Sequence, residues 1–470
     1  MTHKGLTKDE VNQRILEKKV NGEPKKLSKP TINIIKENIF TYFNFLNILL
    51  FIFVITTGKY QNAMFMGAVI TNALIGIVQE IRAKKLLDQI RILTTTKVNA
   101  SHKNVIPTAV VPNMYFVAPI TDRFALGGGL NVNYGLKSEY GEEYAAGVYG
   151  GKTELTALNF NLSSAYDLGY GFSAGVGLNA IYSDAEIQRH LGVGGKAIAQ
   201  QLATRAAQAT AAGQTAQATQ LAAVARQLAT MPNHTSVSKI KGDEWSLGWN
   251  AGLAYKLNEN HRWGLAYHSA VDVKFKGEYS NAFPTAYNAF IQQLAARGVT
   301  LPISEATGGS NVPGRLTLNL PAYWEFSGFH KLTDKFAVQY SYKYTEWERL
   351  KSLTAYGSSG NTLFHKTEEF SNSSRYALGV SYDVNEKLTV RSGIAYDKNA
   401  SKTHPSISIP DTDRMWYSVG ATYRFTPNLA ADFGYAHLRG KKHGFREGQS
   451  GQFEVTSKAN LYGLNLNYKF

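Results

Sequence analysis

The chain has 470 residues, no cysteine, and 50 Lys and Arg against 35 Asp and Glu, a formal net charge of +15. Without cysteine there is no disulfide framework, no thiolate zinc site and no thiol nucleophile. The basic residues are spread along the sequence rather than gathered in one patch, which speaks against a nucleic-acid partner and for charged rims facing an anionic surface. Glycine (42) and tyrosine (27) are abundant and proline (13) is scarce, a balance suited to many strands joined by tight turns.

Residues 1 to 29 are polar and charged, with no apolar core and no small-residue cleavage site, so no secretory signal peptide is visible. An uncharged run, Ile39 to Ile55, is near the length of a membrane span, and a second apolar run covers Ala63 to Val78. Charges return at Glu80, Arg82, Lys84 and Lys85. The pattern predicts an α-helical hairpin of two transmembrane-like helices with both basic outer ends on the cytoplasmic side.

Gly5-Leu6-Thr7, Lys36-Glu37-Asn38-Ile39-Phe40-Thr41-Tyr42-Phe43-Asn44 and Ile75 to Lys85 resemble the start of a P-type cation-transporting ATPase. The resemblance covers about the first hundred residues and supplies no active site. No Asp-Lys-Thr-Gly-Thr, Thr-Gly-Glu or Pro-Glu-Gly-Leu string occurs, so no aspartyl nucleophile or phosphate cradle is present for ATP hydrolysis. Residues 1–100 read as an anchor at most.

From about residue 101 the period changes from helical to two. Phe160 and Leu162 alternate with Asn159, Asn161 and Ser163; Trp245, Leu247 and Trp249 alternate with Gly248 and Asn250. Tyr376, Leu378, Val380 and Tyr382 repeat the scheme, as do Met415, Tyr417 and Val419. The last nine residues, Tyr462 to Phe470, are apolar or aromatic on one face and polar on the other, which suits a wall with lipid outside and water inside. About thirteen such segments predict an all-β transmembrane antiparallel β-barrel over 101–470. Two stretches break the rhythm: an Ala/Gln-rich 196–230, read as two short helices interrupted at Gly213, and an amphipathic helix over 284–297. Ile198, Leu202, Leu221, Tyr287, Phe290, Ile291 and Leu294 give these loops apolar stripes, which could form an outer hydrophobic groove or serve as a simple lid.

Pro112 to Ile120, Leu316 to Pro321 with Trp324-Glu325, and Ile407 to Arg414 with Trp416 are similar to FadL-type outer-membrane transporters of long-chain fatty acids. The resemblance runs from about residue 100 to Phe470. It implies a fourteen-stranded monomeric barrel plugged by an N-terminal hatch, capture of a hydrophobic ligand at an outer groove, a tighter inner site, and lateral exit at a kinked strand. On this resemblance Arg189 and Lys366 match basic residues near the ligand carboxylate, and Asn133-Tyr134-Gly135-Leu136 matches the kink. The alternative is that Arg189 and Lys366 are ordinary lumen charges paired with Glu or Asp, and Gly135 reads equally as a plain strand glycine. The C-terminal strand ending in Phe470 resembles the signal read by the outer-membrane barrel assembly machinery, and the basic rims would meet lipopolysaccharide phosphates.

The hatch and the first barrel strand have no counterpart here. The expectation is therefore about thirteen of fourteen strands, and a chimeric chain whose two parts meet between about Lys97 and Lys103, with mis-targeting of the barrel expected for want of a visible leader. The leading function is passive uptake of long-chain fatty acids or similar hydrophobic molecules; the alternative is a structural or surface-interaction barrel without transport. No catalytic set or metal-ligand spacing stands out among the eleven His, so no enzyme activity, cofactor or metal is expected.

Overall fold

The computed structural model describes residues 31–58, 63–93, 102–211, 213, 215–296, 303–448 and 451–470. The chain divides into two compact units, Met1–Thr96 and Lys97–Phe470.

In the first unit α1 (Thr31–Ile39) and α2 (Tyr42–Thr56) both pack on α3 (Phe65–Leu93). The Thr41 hydroxyl caps α2, accepting from the Asn44 N–H at 3.1 Å. The helices form where the apolar runs predict them, but they do not have spanning proportions. Among the described residues no helix is long and apolar enough to cross a membrane. The 15 residues of α2 reach only about 22 Å at 1.5 Å per residue, against a hydrocarbon core of about 30 Å. Charged residues from Glu80 onward interrupt the apolar character of α3.

The second unit is built almost wholly of strands, every pairing antiparallel. The strands are β1 (Met114–Pro119), β2 (Phe124–Glu139), β3 (Lys152–Gly169), β4 (Phe172–His190), β5 (Ser236–Asn258), β6 (His261–His268) and β7 (Val271–Ser280). They continue with β8 (Val312–Leu320), β9 (Tyr323–Lys331), β10 (Phe336–Thr345), β11 (Ser352–Gly357), β12 (Thr362–Thr367) and β13 (Ser373–Asp383). The chain closes on β14 (Leu388–Asp397), β15 (Arg414–Arg424), β16 (Leu429–Gly440), the small hairpin β17 (His443–Glu447) and β18 (Gly451–Val455), and β19 (Lys458–Tyr468). Seventeen of these strands share one sheet, and β17–β18 stands apart.

Register runs from β1 through β2, β3, β4 and β5, then divides into two tiers. The lower tier continues β5–β6–β9–β10–β13, the upper β5–β7–β8–β11–β12. From β13 it runs through β14, β15 and β16 to β19. Each of β6/β7, β8/β9, β10/β11 and β12/β13 is one pass of the wall with a break, so the wall makes thirteen passes, as the period-two segments predict. Pro321, which cannot donate to a ladder, sits at the β8–β9 break.

The outward faces carry the apolar rows. Leu247 is 83 % exposed and Leu464 78 %, as befits side chains whose solvent is lipid. The inward faces of the upper tier are also apolar: Val273, Phe275, Leu318, Leu320, Leu353 and Leu363 form a buried core inside the wall. Loops at the same end carry α4 (Gly194–Ala211), α5 (Thr215–Thr230) and α6 (Asn288–Ala296). The α4–α5 pair buries Ala199, Leu202, Ala206 and Ala209 on one helix and Ala218, Leu221, Ala225 and Leu228 on the other, a three–four spacing that brings the helices together along a narrow seam. Gly213 turns between them at φ +74°.

Candidate ligand-binding site

The site begins with a defect in β2. Val132 pairs with Leu158 and Tyr134 with Ala157, so Asn133 is an extra, unpaired residue, a β-bulge. The bulge reverses the alternation. Below it Gly129 and Asn131 share the inward face of Asn161 and Asn159; above it Tyr134, Leu136 and Ser138 take the inward positions opposite Ala157, Leu155 and Thr153. Tyr134 thereby points across the lumen and donates its hydroxyl to the Pro321 carbonyl at 2.7 Å, at the break between β8 and β9. Its ring meets Trp347 edge-on at 6.2 Å, and Trp347 meets Phe370 at 5.8 Å.

The neighbouring wall is incomplete at the same height. β1 pairs only with Ala125 to Leu130. Above Leu130, among the described residues, the β1-side edge of β2 makes one backbone contact, Glu139 N–H to Val105 O at 2.7 Å.

Between this bulge and the upper tier lies a cavity of about 380 Å³. Asn133, Tyr134, Gly135 and Leu136 line one side, and Ile187, Phe275, Leu318, Trp347, Leu353 and Phe370 are among the apolar residues of the remainder. A volume in the range of about 300–1,000 Å³ with mainly apolar walls is typical of a small-molecule site. A larger and more open space of about 1080 Å³ borders β6, β9, β10 and β13 to β16; Arg262, Gln339, Arg391 and Asp432 are among its lining, as Glu154, Lys241, Arg315 and Arg414 are among that of the smaller cavity.

Neither Arg189 nor Lys366 lines the smaller cavity. The two cations do share one polar cluster above it. Arg189 is buried and donates through Nη1 to the carbonyls of Lys152 (3.0 Å) and Gln188 (2.8 Å) and through Nη2 to Thr153 Oγ1 (3.1 Å). Lys366 donates to Ser406 Oγ (2.5 Å) and Ser408 Oγ (2.6 Å), with Glu368 at 3.3 Å and Glu447 at 3.8 Å. Both carboxylates also act electrostatically on Arg189. Glu447 in turn holds the 406–408 loop, accepting from Ser406 Oγ and the Ile407 N–H, each at 2.9 Å. Glu368 is wholly enclosed, with the 3.3 Å ion pair to Lys366 in place of well-aligned hydrogen bonds; burial pushes its carboxyl above the usual carboxylate range, with Lys366 and Arg189 opposing. The charges expected to receive a ligand carboxylate are thus held against carboxylates of the protein itself. Sequence reasoning missed Glu368, Glu447 and the two serines; the only signal was Glu368 two residues after Lys366.

At the helical loops, Ile198, Leu202, Tyr287, Phe290 and Ile291 line a small gap of about 30 Å³. Leu221 belongs to the same buried cluster without lining the gap, and the side chain of Leu294 lies outside the described residues. The apolar residues of these loops otherwise pack against one another in one buried cluster.

The profile of a family described as outer membrane protein transport protein (OMPP1/FadL/TodX) matches residues 61–470. The chain belongs to this family. It is an outer-membrane protein of a transporter family, and the mostly antiparallel sheet is that family's barrel wall. It is 53 % identical over 378 residues to the 47 kDa outer membrane protein of Pasteurella multocida strain Pm70, covering 80 % of this chain and 81 % of the relative. It is 42 % identical over 368 residues, 78 % of each chain, to the long-chain fatty acid transport protein of Escherichia coli K12. Among solved structures, a Pseudomonas aeruginosa FadL homologue superposes with a TM-score of 0.61 at 23 % identity over 76 % of this chain and 78 % of the other, a likeness of fold. The family match starts at residue 61, inside the stretch that resembles an ATPase, and nothing in these similarities supports that resemblance or a chimeric join.

Proposed function

We propose that this barrel takes up long-chain fatty acids or similarly hydrophobic molecules without consuming energy, holding them in the apolar cavity and releasing them sideways beside the β2 bulge. The observation that carries the reading is the coincidence of three features at one height. The bulge residues line the cavity, most of the cavity surface is apolar, and β1 pairing stops at Leu130. A fatty acid gains about 0.8 kcal/mol per methylene removed from water, so an apolar slot captures it and a lateral exit spares the chain a second passage through water.

In this reading the outer gap between the helical loops widens around an arriving chain, and the cluster of Arg189 and Lys366 receives its carboxylate in exchange for Glu447 or a protonated Glu368. The rims would rest against lipopolysaccharide phosphates and β19 would serve the assembly machinery. No catalytic role is proposed, and none is assigned to residues 1–100.

Ala355, buried and lining the cavity, supplies the test. Ala355→Phe fills the slot with a ring, and oleate affinity of the purified protein, measured by fluorescence displacement, is expected to fall at least about tenfold, or 1.4 kcal/mol. Unchanged affinity would place the ligand elsewhere.

A further inference from the structure

Beneath the bulge an unbroken series of asparagine amides crosses four strands on the inward face. Asn131 Nδ2 donates to Asn133 Oδ1, the amide of the bulged residue. Asn131 Oδ1 accepts from Asn159 Nδ2 at 3.2 Å, and the same Nδ2 reaches Asn179 Oδ1 at 3.1 Å. Asn161 Nδ2 donates to Asn179 Oδ1 and Asn250 Oδ1, both at 2.9 Å, and Asn179 Nδ2 to Asn250 Oδ1 at 3.0 Å. Asn159 and Asn179 are only 3 % and 4 % exposed. The ladder is tightly packed at Gly177. A Cβ on Gly177 would stand 2.1 Å from Ser163 Oγ, 2.7 Å from Asn250 Oδ1 and 3.0 Å from Asn161 Nδ2.

One acceptor is out of place in this arrangement. Asn159 Oδ1 is buried and accepts no hydrogen bond, a costly condition that native structures rarely tolerate without a reason. It belongs to the residue directly opposite Asn131 in the β2–β3 register. The Asn131 amide N–H therefore has two acceptors to choose between: Asn133 Oδ1, which it now uses, and Asn159 Oδ1, which stands empty.

We propose that Asn131 is a positioning residue that latches the bulge in two settings, holding Asn133 in the first and turning to Asn159 in the second. In the first setting the extra residue is pinned and the wall above Leu130 keeps its present shape. In the second Asn133, which lines the cavity, is freed, and the Asn131 amide satisfies the empty acceptor. A ligand in the cavity lies against Asn133, so its polar head or its bulk competes for the amide that Asn131 holds. Two discrete hydrogen-bonded arrangements of one segment, each biased by ligand, are what a gate requires. Asn161, Asn179 and Asn250 fix the frame against which the switch acts, because their donors and acceptors engage one another.

The inference rests on release beside the bulge, and its test separates the two. The full chain is placed in lipid vesicles, and both equilibrium oleate binding and the rate of oleate transfer to the bilayer are measured for wild type, Asn131→Leu and Asn131→Asp. Loss of the latch predicts oleate affinity equal to or above that of wild type, since ligand no longer competes with Asn131 for Asn133, and a transfer rate raised at least tenfold in both variants. Asp keeps an acceptor for Asn159 but loses the switching donor, so recovery of the wild-type rate in Asn131→Asp would contradict the assignment. So would an equal loss of affinity and rate, since the ladder would then only shape the cavity. Hydrogen exchange of amides 132–136 is followed in the same samples without ligand. It is expected to accelerate at least tenfold in Asn131→Leu, and unchanged exchange would overturn the latch even if wild type transfers no oleate, a result that counts against the release reading alone.

Discussion

Glu368 sits without well-aligned hydrogen bonds in the enclosed cluster that also holds Arg189, Lys366 and Glu447, and its environment makes a testable demand on pH. Burial holds its carboxyl above the usual range, so the folded protein binds that proton more tightly than the unfolded chain does. The stability this contributes is complete below the unfolded carboxyl value of about 4.3 and is lost as pH rises through the folded value. The urea midpoint of the wild type should therefore decline across that window, and Glu368→Gln, which cannot titrate, should flatten the decline while costing no more than about 1 kcal/mol at the acid end. Equal slopes for the two proteins would show that Glu368 is not the titrating group. Arg189 and Lys366 were legible in the sequence only through family resemblance. Their buried acidic partners were not, because Glu447 arrives from a hairpin about 80 residues downstream and spacing gives no hint of that meeting.

Strands announced themselves through the alternation of large apolar residues with Gly, Asn and Ser, which is a direct consequence of a wall with lipid on one side. The Asn133 bulge did not show in that alternation, and only the family resemblance pointed to Asn133–Leu136. Asn131-Val132-Asn133 continues a polar–apolar–polar alternation, and only the register against β3 shows that one residue has dropped out of it. At the first unit the apolar run from Ile39 to Ile55 does yield a helix, one of 15 residues, and among the described residues no helix is long and apolar enough to cross a membrane. The terminal strand presents a related problem. β19 has its register with β16 alone and β1 with β2 alone among the described residues. Thirteen antiparallel passes leave β1 and β19 running the same way, so the two edges cannot join in an antiparallel ladder. Unpaired backbone groups exchange faster than paired ones. In hydrogen-exchange measurements on the purified protein, the amides of β1 and β19 directed away from their partners should exchange at least about a hundredfold faster than those of β3 to β5. Protection equal to that of β3 to β5 would mean that these edges are covered by a partner strand.

Taken as a whole, the barrel separates two environments inside one wall. The upper tier, broken away from the lower at Ser269–Ala270, Pro321–Ala322 and the turn at Trp347–Arg349, brings apolar inward faces together around the smaller cavity. The lower tier borders the larger space with arginines and amides. On the proposed reading a hydrophobic molecule is held by the apolar walls of the upper-half cavity and leaves beside the bulge. This division was not legible in the sequence, since Phe275, Leu318 and Leu353 come from strands whose tilt only the fold reveals. The most direct test is photo-crosslinking with a fatty acid carrying a diazirine at its methyl end, followed by mass spectrometry of the labelled peptides. The account predicts label on the segments containing Tyr134, Phe275 and Trp347, diminished by excess oleate. Competed label confined to the Arg391- and Asp432-lined space, with the cavity segments unlabelled, would contradict it.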